Sequence, residues 1–565
     1  MNWFKGLSTM TLSLLVGLHS WAAIGKPTNK LLKIGITQEF ENLNPLIMQM
    51  LATSYIYKFV NRNLVTMDEK GNWIPQIVKE IPSLKNGKAK LVTENGKQKI
   101  ISEWEILEKA SWGDGNPVTG YDVKLGWSTA KLNTVAVGEK EVYTQIERIE
   151  VDPKNPKKFT LAFEKPKWDF YQLGTFYLLP SHLEKSIVEK FATVPEGYSK
   201  NSLYTRNPTN AGLYNGPYII SELKLGSHLE LVRNPHFYGN PANIEKIIIK
   251  LIPNTGTLEA NIRSGAIDMI STLGFSFDQA LIFEKKTKQN GWDFNTNFRQ
   301  SLVYEHIDLN LRNEFLQDVR VRKALVFAID RDKLTKALFE GKQKKAIHNI
   351  APIDPWYTES PNEIVTYSPS KRKAKKLLIE AGFAKGPDGY MYKDGKKLSL
   401  PLMTTAGNKT RELVQSFLQK EWKSIGIDVP IKNQPAKVYF GETVKKGKYE
   451  AMAMFAWISS PENNPRSTLS SESIPTSSNG FSGQNSGGWK NQNVDKLVKE
   501  LDLEFNPDNR KKIISKILHE YTDQVPVIPL YYRADTSVTP KNLKNYQITG
   551  HQFSTSNFAE NWTIE

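Results

Sequence analysis

Cysteine is absent from all 565 residues. That single absence excludes disulfide staples, thiol nucleophiles and cysteine-ligated metals. It also excludes the cysteine to which a bacterial lipoprotein's anchor is attached. Long apolar runs are missing too: past the N-terminus no segment supplies about 18 consecutive apolar residues, so no helical membrane span is expected. The signatures of common catalysts are likewise missing. There is no His-Glu-x-x-His zinc helix, no Gly-x-Ser-x-Gly elbow and no phosphate-binding loop. Ser-x-x-Lys occurs at Ser128–Lys131 and Ser368–Lys371, but without the partner motifs that would give it chemistry. The eight histidines are dispersed, and His228 and His236 have no sequence neighbours spaced as metal ligands. No metal, cofactor or catalytic residue is expected. A carboxylate pair assembled only by folding is the one route left to a secreted hydrolase.

What is present describes a large exported globular protein. Hydrophobic residues make up 39% and aromatics 11%, enough for packed cores, and the length calls for two or three lobes. Residues 1–25 read as a signal peptide: Lys5 charges its start, Leu7–Leu18 is a short apolar run, and Ser20-Trp21-Ala22 offers a cleavage site after Ala22. Net charge is +16. The densest cluster, 371–376, lies on a helix whose Ala374, Leu377, Leu378 and Ala381 form the buried side, so it reads as a solvated face. No nucleic-acid module accompanies it, and nucleic acid is not an expected partner.

Alternating strands and helices run through the chain, which implies α/β sheets. Lys33–Ile36 is a strand, and the loop Thr37–Pro45 leaves its end, where an α/β sheet forms ligand crevices. Thr119 and Asp122 have capping-box spacing at a helix start. Leu229–Arg233 alternates as a strand. Val321, Ala324, Leu325, Ala328 and Ile329 mark one face of a helix capped by Asp318. Asp332 and Lys336 are spaced as an i,i+4 pair, and Gly341 closes the next helix. Leu400–Thr405 and Asp428–Ile431 read as strands around the helix Arg411–Ile425. Ala451–Ile458 is apolar throughout, hence a buried strand. A long Ser/Asn/Gly-rich loop follows it to Gly488, and loops of that length are often functional.

Several words in this order resemble the bacterial extracellular solute-binding proteins of family 5, the oligopeptide- and dipeptide-binding receptors of ABC importers. They are Leu43-Asn44-Pro45, Trp112-Gly113-Asp114-Gly115-Asn116-Pro117-Val118-Thr119, and Gly216-Pro217-Tyr218 with Arg233-Asn234-Pro235. Then come Asp318-Val319-Arg320-Val321-Arg322-Lys323-Ala324-Leu325, Trp489 with Val494-Asp495, and Val525–Tyr532. The resemblance implies an α/β, two-lobed periplasmic binding protein, type II, in its large three-domain variant, with a ligand cleft between lobes. Lobe 1 would comprise 26–60, 211–304 and 527–565, an extra domain 61–210, and lobe 2 305–526. The implied role is a free periplasmic monomer that closes on an oligopeptide and docks on an inner-membrane ABC permease.

The site implied by the resemblance takes Gln38, Glu39 and Phe40 from one lobe. From the other it takes Phe455, Trp457, Ser460 and Trp489. One departure stands out. Family oligopeptide receptors commonly carry an Asp three residues after the cleft Trp, paired with the peptide's α-ammonium. Here Trp457 is followed at that distance by neutral Ser460. Losing a charge-assisted partner costs roughly 1.5–3 kcal/mol. Glu462 is the substitute within reach. Otherwise the solute is N-blocked, a cell-wall fragment, an oligosaccharide or a metal chelate.

Overall fold

The structure is a computed structural model that describes residues 28–565 apart from 41, 42, 49, 138, 139, 480 and 482, and without the Lys437 side chain. The signal-peptide reading of 1–25 lies outside the described residues.

Nine strands form the main sheet. In chain order they are β1 (Leu31–Ile36), β2 (Tyr218–Lys224), β3 (His228–Arg233), β4 (Lys246–Leu251) and β5 (Met269–Ile270). They continue with β6 (Phe294–Leu309), β7 (Leu402–Met403), β8 (Met452–Ile458) and β9 (Val527–Pro540). Their order across the sheet is β7-β8-β6-β9-β5-β1-β4-β3-β2. β1 is parallel to both β4 and β5, and Leu32, Ile34 and Ile36 are fully buried along it. The long pair β6 and β9 carries the sheet from one lobe to the other.

That pair is not continuous. Phe294–Gln300 match Ala534–Pro540, and Tyr304–Asp308 match Val527–Tyr532, so Ser301, Leu302 and Val303 lie opposite Arg533 alone. Extra residues on one strand bend it and increase its twist. On one side of the break a core gathers around Leu32, Ile34, Phe59 and Trp562. On the other, Leu325, Leu378, Leu418 and Trp422 form a separate core, into which the Trp422 indole donates to Leu325 O at 3.0 Å.

The helices of the second lobe follow from their caps and apolar faces. Asp318 accepts from Arg320 N at 2.9 Å to start Val319–Phe327, and Asp330 accepts from Lys333 N at 2.9 Å to start Arg331–Phe339. Glu340 and Gly341 then end the second helix in left-handed backbone, at φ 53° and 74°. Asp332 does not pair with Lys336; it takes Lys345 at 2.5 Å, a partner from the following loop. The strand expected over 400–405 shrinks to Leu402–Met403, and 428–431 makes only isolated bridges. Pro401 and Pro430 explain both, because neither has an N–H to give a ladder.

A separate antiparallel sheet joins Ala89–Glu94, Lys97–Glu105, Lys158–Phe163 and Ile146–Val151 in that order. The capping box at Thr119 is formed, Asp122 accepting from Thr119 N at 2.7 Å. No described helix is long and apolar enough to cross a membrane.

Candidate functional site

The site grows from the free end of β8. Ser459 N donates to Leu302 O at 3.2 Å, so the odd-numbered residues 455, 457 and 459 direct their backbone groups at β6. Ala456 and Ile458 therefore direct theirs the other way. β7 could cover that edge, but it pairs only with Met452 and Ala453. Met454 O is met instead by Thr404 Oγ1 at 2.8 Å and the Tyr439 hydroxyl at 3.1 Å. Among the described residues, no hydrogen bond reaches the outward N–H and C=O of Ala456 or Ile458.

A cavity of about 340 Å³ opens beside this edge, lined by Ala456, Trp457, Ile458 and Ser459 together with Tyr304, Asp354, Trp356 and Ile517. Its wall is aromatic and firmly seated. The buried His306 ring stacks on Tyr304 at 4.7 Å and meets the edge of Phe455 at 4.5 Å, and Phe455 in turn abuts Trp457 at 5.3 Å. The two aromatics named from the sequence thus have different places. Trp457 is half-buried and faces the cavity, whereas Phe455 is 1% exposed and sits behind it with Tyr439 and Tyr449.

The polar groups divide similarly. Ser460 donates its hydroxyl to Gln552 Oε1 at 3.0 Å, so the position that resemblance assigns to charge recognition is engaged with the C-terminal segment. Glu462 holds a left-handed backbone at φ 52° and donates its N–H to Asp354 Oδ2 at 3.1 Å. Burial raises the Glu462 carboxyl, opposed by Arg510. Asp354 is the residue that sequence reasoning missed. It is 7% exposed, accepts from Trp356 N at 2.8 Å, lines the cavity and, among the described residues, has no cation paired with it. Burial pushes its carboxyl up to about 7. An acid between Ile353 and Pro355 carries no signal beyond turn chemistry, so nothing in the sequence marked it.

The remaining sequence candidates lie elsewhere. Gln38 and Glu39 are exposed on the loop after β1, where Glu39 approaches the β2–β3 turn at Gly226, and Phe40 is 1% exposed in the first core. None of the three lines the cavity. Trp489 is 5% exposed and lines a narrow extension shared with Tyr304, Asp308 and Trp457.

Two contacts join another part of the chain to the outer side of the cavity wall at Trp356. Trp168, from the segment carrying the four-stranded sheet, packs on Trp356 with ring centres 5.7 Å apart. The Arg510 guanidinium lies 4.0 Å from the Trp168 ring centre. Behind β8, Glu305 is fully buried between Arg411, at 2.6 Å, and Arg533, at 2.6 Å. Burial alone would raise the Glu305 carboxyl; Arg533 and Arg411 outweigh it and hold the group below the usual range. Away from the cavity, folding gives His228 the neighbours it lacks in sequence, bringing Glu222 and Glu230 within 4.8 Å. Lys246 already holds Glu230 at 2.5 Å.

Two lobes joined by a bent strand pair, with an unpaired strand edge on a cavity lined by the second lobe, define a solute-binding receptor. The chain belongs to the bacterial extracellular solute-binding proteins, family 5, whose middle region matches residues 102–478. It is 25% identical over 524 residues to the oligopeptide-binding protein AppA of Bacillus subtilis, covering 91% of this chain and 88% of that one. It is 24% identical over 509 residues to the nickel-binding periplasmic protein of Escherichia coli, covering 89% of each. Among solved structures, it is similar to an oligopeptide-binding protein from Thermus thermophilus complexed with pentapeptide. That likeness has a TM-score of 0.69 and 27% identity, covering 94% of this chain and 96% of that one. The family consists of receptors rather than enzymes.

Proposed function

We propose that this protein is the periplasmic receptor of an ABC importer, a monomer that encloses an oligopeptide between its lobes and delivers it unchanged to a membrane permease. The observation that carries the peptide reading is the bare edge at Ala456 and Ile458. An extended peptide satisfies such an edge by adding itself as a strand, which gives affinity through main-chain groups while the neighbouring cavity accepts a side chain. Trp457 walls that cavity, and Asp354 with Glu462 supplies the negative charge that Ser460 lacks. Phe455 supports that wall from behind and Trp489 lies at its rim, whereas Gln38 and Glu39 stand by the β2–β3 turn at the far edge of the sheet. The similarity to the peptide-bound Thermus protein supports the same reading.

The lobes hinge, on this reading, at the break opposite Arg533. Closure expels water from the cavity and brings Trp168 onto Trp356. A second reading, a non-peptide or N-blocked solute, is favoured by one observation: Ser460 is neutral and already bonded. Mass spectrometry of solute released from protein purified from its native periplasm separates the two. Peptides of several lengths with free N-termini support the first reading, whereas a single non-peptide species overturns it. A solute recovered in cleaved form would return the hydrolase.

A further inference from the structure

β9 presents Arg533 and Asp535 on one face, because side chains two apart in a strand point the same way and sit roughly 6.6 Å apart along it. Each has unused capacity. Arg533 gives Nε and Nη2 to Glu305, at 3.0 and 2.6 Å, and its Nη1 has no partner among the described residues. Its side chain is 40% exposed although its partner Glu305 is fully buried. The Asp535 carboxylate makes no hydrogen bond or ion pair to any described residue, and its side chain is half-buried. Burial nevertheless pushes that carboxyl up to about 6, with Arg533 opposing. Both side chains thus stand partly in water at the break in the sheet, with hydrogen-bonding capacity to spare.

The place of these groups is the lobe junction. Arg533 is the residue opposite the three unmatched residues of β6. Glu305 is paired across the ladder with Ala456, whose backbone lines the cavity. Arg411 opens the helix Lys409–Lys423, and its neighbour Thr410 donates to Asp278 at 3.0 Å across the seam between lobes.

Charge then selects the ligand. Two guanidiniums and two carboxylates make the group neutral. An anion on Arg533 alone would face Asp535 and leave the site negative, and a cation on Asp535 alone would face Arg533 and leave it positive. Only a ligand bringing both charges keeps a partly desolvated site balanced. We propose that Arg533 and Asp535 form a recognition site for a compact zwitterion, an ammonium and a carboxylate carried within one or two residues of each other. The chemistry fits the amino-acid head of a side-chain-linked ligand or a dipeptide. It does not fit the distant termini of a long linear peptide. This deepens the reading of a solute held between lobes and gives that solute a charged end.

The test uses the full mature chain and isothermal titration with three probes. They are Nε-hexanoyl-lysine, which carries a free amino-acid head, dialanine, and pentaalanine, whose charges lie roughly 15 Å apart when extended. Each compact probe is also prepared with its α-amine acetylated and with its carboxylate amidated. The expected result is that at least one compact probe binds, that blocking either charge weakens it about tenfold or more, and that Arg533→Gln and Asp535→Asn each erase the difference. The relative affinity of lysine derivative and dialanine then names the head. If blocking changes nothing, or pentaalanine binds more tightly than both, the proposal fails and the peptide reading stands. If the lysine derivative binds and neither peptide does, the proposal stands and the peptide reading fails. If no probe binds, both fall. The comparison of blocked and free probes needs no variant, so a destabilised Arg533→Gln cannot spare the idea.

Discussion

Glu305 and Asp354 are both acids buried in the second lobe, at 0% and 7% exposure, and they have opposite fates. Glu305 is gripped by two guanidiniums and stays ionised below the usual carboxylate range. Asp354 has only two backbone N–H donors, and its carboxyl rises to about 7. Desolvation pushes both carboxyls upward; the presence or absence of cations decides the sign of the outcome. The first acid holds the structure together and the second waits at the cavity for something positive. Substitution at each should therefore move stability in opposite directions.

The largest effect belongs to Glu305→Gln. It leaves Arg411 and Arg533 as uncompensated cations in and beside a dry interior, which costs about 3–5 kcal/mol. Urea unfolding at neutral pH measures it, and a loss under about 1 kcal/mol would mean that water reaches the triad freely. Asp354→Asn should act the other way. With a folded pKa near 7 against 3.8 unfolded, the folded state holds the extra proton between those values. Asp354 thus favours folding at low pH, and its contribution is lost as pH rises through about 7. The full shift would amount to roughly 4 kcal/mol, and relaxation around the ionised form leaves about half. The variant is expected to gain about 2 kcal/mol at pH 8 and nothing at pH 4. A gain that is equal at both pH values would sink the assignment.

The contrast also shows what a sequence can convey. The architecture was legible because it rests on local patterns repeated in order: caps such as Asp318, the apolar run of β8, turn words such as Gly216-Pro217-Tyr218. The wall at Trp457 was legible for the same reason. Asp354 was not, because its character comes from Trp356 and Glu462 folding over it, and no spacing encodes that. Phe40 and Phe455, named from the sequence for the cleft, are each 1% exposed, because a large apolar side chain packs inward whenever a core is near, and no spacing tells a cleft wall from a core. The strand over 400–405 came out shorter and that over 428–431 is reduced to isolated bridges because Pro401 and Pro430 deprive the ladders of donors. His228 gained its acidic neighbours only when the β2–β3 hairpin and its turn brought strands together.

Ser460→Asp restores an acid at the rim, on the exposed side of the same wall, and so tests whether Asp354 already does that work. If Asp354 and Glu462 receive the ligand's ammonium, a second acid adds little. If they do not, affinity for a peptide with a free N-terminus should improve by about 1.5 kcal/mol over its N-acetyl form. Paired titrations of free and acetylated peptides on both proteins decide. The two-acid reading expects a gain below about threefold.

The smallest effect concerns the closing contact. Trp168 comes from one segment, Trp356 and Arg510 from the second lobe, so on the proposed closure their packing forms as the cavity is covered. Trp168→Leu keeps an apolar side chain but removes the ring face under the guanidinium, a contact worth about 1 kcal/mol. A ligand that binds only the covered form then binds about fivefold more weakly, because part of its affinity goes into shifting the open population. Urea unfolding should register a loss as well, because Trp168 is 2% exposed in a core with Trp356 and Ile514, so the binding titration is run where both proteins are fully folded. Small-angle scattering with and without solute tests the cause. The variant is expected to be more open when empty and to reach the same compact form at saturation. A compact empty variant with unchanged affinity would show that the two tryptophans meet without holding anything shut.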